Sequence, residues 1–158
     1  MPDCKSWLAL EGIRAGLTAR LAPGTYSGRT FSVSYGPVQN VVLGDLPAVI
    51  IVSVASDLTG GPATRHARKM RVLLHVIAEA TASQGVLRAL LNSVADVEKA
   101  LAADEQLVTI ADEDGQRVTN GVIEFISEAL NPELTEFFQK ATATIEVMVP
   151  LWWSHARV

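Results

Sequence analysis

The run Ala67-Arg68-Lys69-Met70-Arg71-Val72-Leu73-Leu74-His75-Val76-Ile77-Ala78-Glu79-Ala80 decides the fold. Taken every second residue, Met70, Val72, Leu74, Val76 and Ala78 form one wholly apolar row. Arg71, Leu73, His75, Ile77 and Glu79 form the other, a half-wet mixture. A period of two belongs to a β-strand, whose successive side chains point to opposite faces. Just upstream, Ala48-Val49-Ile50-Ile51-Val52-Ser53-Val54-Ala55-Ser56 is β-branched and almost continuously apolar, as expected of a central strand covered on both faces. Asp57 to Pro62, with Gly60, Gly61 and Pro62, reads as a turn. Residues 48–80 are therefore expected to form an antiparallel strand hairpin.

Working outward, Ser83 is a plausible N-cap for a helix over 83–103 with a wide apolar stripe of Val86, Leu87, Leu90, Leu91, Val94, Val97 and Leu101. Upstream, residues 1–21 hold an amphipathic helix. Trp7, Leu10, Ile13, Leu17 and Leu21 recur at spacings of three and four, and Ala22, Pro23 and Gly24 end it. Residues 22–47 read as a Gly/Ser/Pro-rich loop holding one edge strand within Thr30 to Tyr35. Residues 107–152 are expected to supply strands: Leu107 to Ile110, Gln116 to Ser127, and the alternating Ala141, Ala143, Ile145, Val147, Val149 and Leu151. Asn131-Pro132-Glu133 reads as a turn between them, and 153–158 as a tail. Like elements cluster instead of alternating, so the fold class is α+β. A mixed, mostly antiparallel sheet of four to six strands is packed by two helices within a single domain, 1–158.

Composition narrows the function. The 158 residues suffice for one domain with a real core. Hydrophobic residues make up 49% and charged residues 19%, and mean hydropathy is +0.25, so either the core is unusually large or apolar surface is covered by partners. The longest apolar stretch, Leu46 to Ala55, is too short for a membrane span and is interrupted by Pro47 and Ser53. No apolar leader follows Met1, so a cytoplasmic protein that does not engage the membrane is expected. The single cysteine, Cys4, forms no internal disulfide. A net charge of −4 argues against a dedicated nucleic-acid binder and in favour of protein partners.

Motifs for catalysis fail on their chemistry. Pro23-Gly24-Thr25-Tyr26-Ser27-Gly28-Arg29-Thr30 resembles a phosphate loop, but its glycines are one residue too close, Arg29 stands where lysine belongs, and a helix precedes it. Asp112-Glu113-Asp114-Gly115 places Ile110 and Gly121 at the first and last ligand positions of a calcium loop, so it reads as a hairpin turn. His66, His75 and His155 are too scattered to pair on a metal. His75, between Leu73 and Ile77, reads as a partly buried sheet histidine. No catalytic, cofactor-binding or metal-binding residue is predicted, and no cofactor.

Charge carries more. Arg65, Arg68, Lys69 and Arg71 place four of the thirteen Lys and Arg residues within seven positions. Asp96, Glu98, Asp104, Glu105, Asp112, Glu113 and Asp114 place seven of seventeen acids within nineteen. These runs are either two solvated loops or the two halves of a head-to-tail contact between subunits. Trp152 and Trp153, followed by His155 and Arg157, either pack on the first helix or form a docking surface.

This order of elements resembles the tail-terminator, or tail-completion, proteins of long-tailed bacteriophages and prophages. The resemblance rests on Trp7, Ile13 and Leu17, on Asp45-Leu46-Pro47-Ala48-Val49-Ile50-Ile51 and on the strand Met70 to Ala78. It extends through the helix with Val94, Val97 and Leu101 ending in Asp104-Glu105-Gln106-Leu107, and Ala143-Thr144-Ile145-Glu146-Val147. It covers most of the chain, which departs from it in a longer Gly24 to Gly44 region and an insert at Asn131 to Phe138. The resemblance implies a structural, non-enzymatic virion protein, assembled in the host cytoplasm. It would form a ring, typically of six copies, that caps the tail tube and stops its growth. Its partners would be itself, the major tail tube protein and a head-tail connector or neck protein, with genomic DNA passing through the lumen unread. The alternatives are another neck or connector component, or a small cytosolic enzyme or ligand-binding domain with a pocket near His75.

Overall fold

The two fifteen-residue strands Arg65–Glu79 and Lys140–Ser154 lie antiparallel and in continuous register, from Arg65 opposite Ser154 to Glu79 opposite Lys140. The computed structural model describes residues 4–36, 47–58, 65–80, 85–102, 123–131 and 140–154. In chain order the elements are α1 (Lys5–Arg20), β1 (Ser32–Tyr35), β2 (Ala48–Leu58), β3 (Arg65–Glu79), α2 (Val86–Ala102), β4 (Glu124–Asn131) and β5 (Lys140–Ser154). They build an α+β fold whose five-stranded sheet has the order β1-β2-β3-β5-β4. All neighbours are antiparallel except β1 and β2, which run parallel. The hairpin expected over 48–80 is β2 and β3, and the edge strand expected within Thr30 to Tyr35 is β1.

The period-two pattern has the expected outcome. Met70, Val72, Leu74, Val76 and Ala78 of β3 are buried with Ala141, Ala143, Ile145, Val147, Val149 and Leu151 of β5 in one core. Ile13 and Leu17 of α1 and Leu90, Val94, Val97 and Leu101 of α2 close that core from one side, so both helices cover the same face of the sheet. On the opposite face Ala48, Ile50 and Ile77 form a second, smaller cluster flanked by Val52. The β2 register shifts between Ile51 and Ser53, a bulge that interrupts the ladder with β3.

Six residues separate the end of β3 from the start of α2, and α2 packs against β3 and β5. Its seventeen residues span about 25 Å, and in its last turn the Ala100 carbonyl accepts a hydrogen bond from Arg20 at the end of α1.

Several boundaries and burials differ from the sequence expectation. Of the strand expected at Gln116 to Ser127, Glu124 to Ser127 lie in β4, which runs on to Asn131; residues 116–122, Leu107 to Ile110 and the capping Ser83 lie outside the described residues. Strand β5 continues through Trp152, Trp153 and Ser154, so Trp153 and Ser154 are strand and not tail. Trp7 is 39% exposed, and Ala9 joins Ile13 and Leu17 in the buried stripe of α1. The Trp7 ring lies beside Tyr35, with centroids 5.1 Å apart. Leu87 and Leu91 are exposed because the apolar stripe of α2 is wider than the contact one sheet face can make with it.

The segment between α1 and β1 is held by one buried side chain. Asp96 of α2, 2% exposed, accepts hydrogen bonds from the Tyr26 and Ser27 backbone N–H groups at 2.7 and 2.9 Å. The loop also closes on itself, the Gly24 N–H donating to the Arg29 carbonyl and the Gly28 N–H to the Gly24 carbonyl. Gly28 sits at φ +65°, where glycine costs least, and a Cβ on Gly24 would collide with the Asp96 carboxylate. Asp96→Ala should therefore destabilise the protein by about 3 kcal/mol in urea unfolding, since two N–H groups lose a charged acceptor. Asp96→Asn, keeping one acceptor, should lose about half of that, and an Asp96→Ala variant of native stability would contradict the anchoring role.

Candidate functional site

Asp96 also settles the chemistry of the phosphate-loop lookalike. The backbone N–H groups of Tyr26 and Ser27 are the donors an anion would need, and the chain's own carboxylate occupies them. Nearby, Arg29 faces Glu79 at 3.6 Å and Lys99 donates to the Thr25 hydroxyl at 3.3 Å. The site is internally neutralised, with its acid supplied by a residue that sequence counting placed in a solvated acidic run. That run loses Asp96, which is an interior anchor and not part of a surface patch.

His75 lies on the sheet face away from the helices. Its Nδ1 is 3.1 Å from the hydroxyl of Thr144, its register partner on β5. Two positions along β5 from Thr144, Glu146 meets Arg71 diagonally across the ladder at 3.7 Å and accepts a hydrogen bond from the Ser127 hydroxyl at 3.4 Å. This is a cross-strand polar row that satisfies the half-wet face of β3. Among the described residues no three His, Cys, Asp or Glu side chains come together to hold a metal ion, and no helix is long and apolar enough to cross a membrane.

The structure brings together two groups of residues that are 81 positions or more apart in the chain. In the β3–β5 ladder, His66 stands opposite Trp153, Ala67 opposite Trp152, Arg68 opposite Leu151 and Lys69 opposite Pro150. The basic cluster and the tryptophan pair thus occupy the same end of two adjacent strands. Strand alternation also divides the cluster. Arg68, partly buried, pairs with Leu151 in the helix-facing row, whereas Lys69 and Arg71 are exposed on the other row. Asp104, Glu105, Asp112, Glu113, Asp114, His155 and Arg157 lie outside the described residues.

The residues that sequence reading missed lie at the β4 edge. All seven side chains from Glu124 to Leu130 are exposed, with Phe125 at 48%, Ile126 at 44% and Leu130 at 40%. The β4–β5 register shifts between Phe125 and Ser127, leaving Ile126 as the extra residue of a bulge. Phe125, Glu128 and Leu130 stand opposite the buried Val147, Ile145 and Ala143, so they share the helix-facing side beside α2. Glu98 of α2 reaches Glu128 there by a side-chain hydrogen bond. Leu91 and Leu87 lie two and three turns along the same stripe of α2 as Glu98, because residues seven and eleven apart repeat nearly in phase at 3.6 per turn. The available sequence signal was a helix with more apolar positions than one sheet face can cover.

Two hydrogen-bonded carboxyl groups must share a proton. That bond, then burial, then the charge of Glu128, push the Glu98 carboxyl up to about 7 from 4.5. Between those values the folded chain holds a proton that the unfolded chain has released. The stabilisation is thus full below about pH 4.5 and is lost as pH rises through about 7. Glu98→Gln should remove this dependence. Its stability relative to the native chain should rise by about 1 kcal/mol between about pH 5 and pH 8, a figure discounted for solvent screening. A pH-independent difference in thermal unfolding between the two proteins would rule out the shared proton.

No family model matches the chain, and no curated protein is significantly similar to it. Solved structures do share its fold. A chain of the "Virion of native gene transfer agent (GTA) particle" superimposes with a TM-score of 0.58 at 12% sequence identity, over 92% of this chain and 98% of that one. At that identity the likeness is one of fold, and it extends over nearly the full length of both chains.

Proposed function

We propose that this chain is a structural protein of a phage-like virion, and within that class a ring-forming tail terminator. It would cap the tail tube, stop its polymerisation and present the surface that joins the head. The carrying observation is the near full-length fold likeness to a virion chain. Three features of the chain support the reading. Its sheet ends in edges with exposed apolar side chains, its one glycine-rich anion-loop candidate is filled by its own Asp96, and its basic and tryptophan clusters converge on one end of β3 and β5. A subunit destined for an assembly has reason to keep such surfaces.

In this reading the whole chain is one domain and six copies form the ring. Arg65, Arg68, Lys69 and Arg71 of one copy meet Asp104, Glu105, Asp112, Glu113 and Asp114 of the next. Trp152, Trp153, His155 and Arg157 face the tail tube protein or a neck protein. Genomic DNA passes through the lumen without base recognition, and the work is done by surfaces, with no catalytic step. The particle is built in the host cytoplasm.

Reversing Arg65, Arg68 and Lys69 to Glu should raise the dissociation constant of the ring by about a hundredfold, since like charges face each other across the contact. Reversing Asp112, Glu113 and Asp114 to Lys in the same chain should recover part of that loss. Light scattering that finds the same oligomer in all three proteins would dismiss the pairing. A folded Trp152→Ala/Trp153→Ala variant should form rings yet fail to complete tails, and normal tails from it would remove the docking role. Electron microscopy of particles carrying a labelled copy tests the position. Label at the head-proximal end of the tube is expected, whereas label confined to the head vertex would favour a connector.

A further inference from the structure

The bulge at Ile126 re-aims the side chains that follow it. Ahead of it Phe125 stands opposite Val147 on the helix-facing row. Past it the phase is reversed, so that Ser127 stands opposite Glu146 on the outer row and Glu128 opposite the buried Ile145 on the inner one. Without the extra residue, strand alternation would put Ser127 on the inner row and Glu128 outside with Thr144. The bulge therefore turns the Glu128 carboxyl toward the helix layer, between Phe125 and Leu130, where Glu98 of α2 meets it in a side-chain hydrogen bond. Among the described residues no other side-chain hydrogen bond or ion pair joins β4 to α2, and neither carboxyl has a cation partner.

The charged groups of the surrounding elements are engaged elsewhere. On α2, Asp96 and Lys99 are turned to the segment at Thr25 to Ser27, and Arg88 lies about 15 Å along the helix axis. On β4, Glu124 stands opposite Met148 on the outer row. Strand β5 presents Ala143, Ile145 and Val147 to this side, while its Glu146 meets Arg71 of β3 on the other face. Arg68 of β3 shares the helix-facing row but stands opposite Leu151, about 20 Å along β5 from Ile145. From α1, Arg20 donates to the Ala100 carbonyl, and Glu11 and Arg14 pair with each other.

We propose that Glu98 and Glu128 form a proton-held clamp that fastens β4 to α2 and releases it when both carboxyls are ionised. The clamp belongs to the single chain and is independent of the ring reading. Two carboxylates only accept hydrogen bonds, so the contact between them exists only while one carries a proton. The closed strand keeps that proton, whereas the opened strand, with two ordinary carboxyls, has given it up above about pH 4.5. Closure is therefore strongest in acid and weakens as pH rises through about 7, where the clamped Glu98 ionises. The effect is local to β4, whose other tie is its ladder with β5, and it leaves the register of β3 with β5 intact.

Hydrogen exchange read amide by amide, and corrected for its intrinsic dependence on pH, tests this. Protection of the β4 amides should fall about fivefold relative to that of β3 between pH 5 and pH 8. In Glu98→Gln the side-chain amide donates to the Glu128 carboxylate with no titrating proton, so β4 protection should be the same at both pH values. Glu128→Gln should behave alike, and it serves where circular dichroism shows Glu98→Gln to be unfolded. Glu124→Gln, which removes an acid from the outer row of the same strand, should keep the native dependence; its loss there would trace the effect to net charge and overturn the pair. Equal changes in β4 and β3, or a dependence that survives both Gln variants at Glu98 and Glu128, also overturn the clamp. Millimolar calcium that restores β4 protection at pH 8 in the native chain but not in Glu98→Gln would make the pair a cation seat and overturn the proton as its bridge.

Discussion

The pairing of β3 with β5 is the constraint on which the rest of the molecule depends. Fifteen residues of each strand run in unbroken register, and both strands alternate with the same phase, so one shared face is apolar from Met70 to Ala78 and from Ala141 to Leu151. A slip of one residue would move Ile145, Val147 and Val149 to the face now held by Thr144, Glu146 and Met148, and the core would lose its floor. Because that floor is continuous, two helices can pack side by side on it, and β2 and β4 add to its flanks. The bulges in β2 and β4 fall outside this central pair, where the ladder can bend without disturbing the core.

Asp96 couples the second layer to the chain ahead of β1. It is a charge buried at low exposure, tolerable because two backbone N–H groups point at it. The result is a rigid turn at Tyr26 and Ser27 where the sequence alone suggests a mobile Gly/Ser loop. Gly24 and Gly28 then have separate physical reasons, one to clear the carboxylate and the other to adopt positive φ. The same interaction fills the N–H groups of the phosphate-loop lookalike with the chain's own carboxylate.

Those surfaces bear on the apolar surplus of the composition. Most of the hydrophobic residues described fill the main core, yet Leu87, Leu91, Phe125, Ile126, Leu130 and Trp7 remain exposed on one copy. They gather at the two lateral edges of the sheet, while Lys69, Arg71 and the Trp152 and Trp153 positions gather at one end of its central strands. The composition thus reflects both a large core and apolar side chains left exposed on one copy.

The sequence by itself determined the fold class, the β2–β3 hairpin, both helices and the faces of the two longest strands, because those follow from periodicity and each residue's own polarity. It also disposed of the metal and nucleotide motifs, whose spacings are local. Tertiary structure alone decided which exposed-looking acid is buried, since Asp96 is recognised by amides 69 and 70 positions away. It decided that His66 and Ala67 lie beside Trp153 and Trp152, because strand pairing joins distant residues without a local signal. It also decided that part of the α2 stripe and all of β4 from Glu124 to Leu130 stay uncovered. Hydrophobicity drives apolar side chains out of water, but only the number and width of the packing layers decide which of them find cover within one chain.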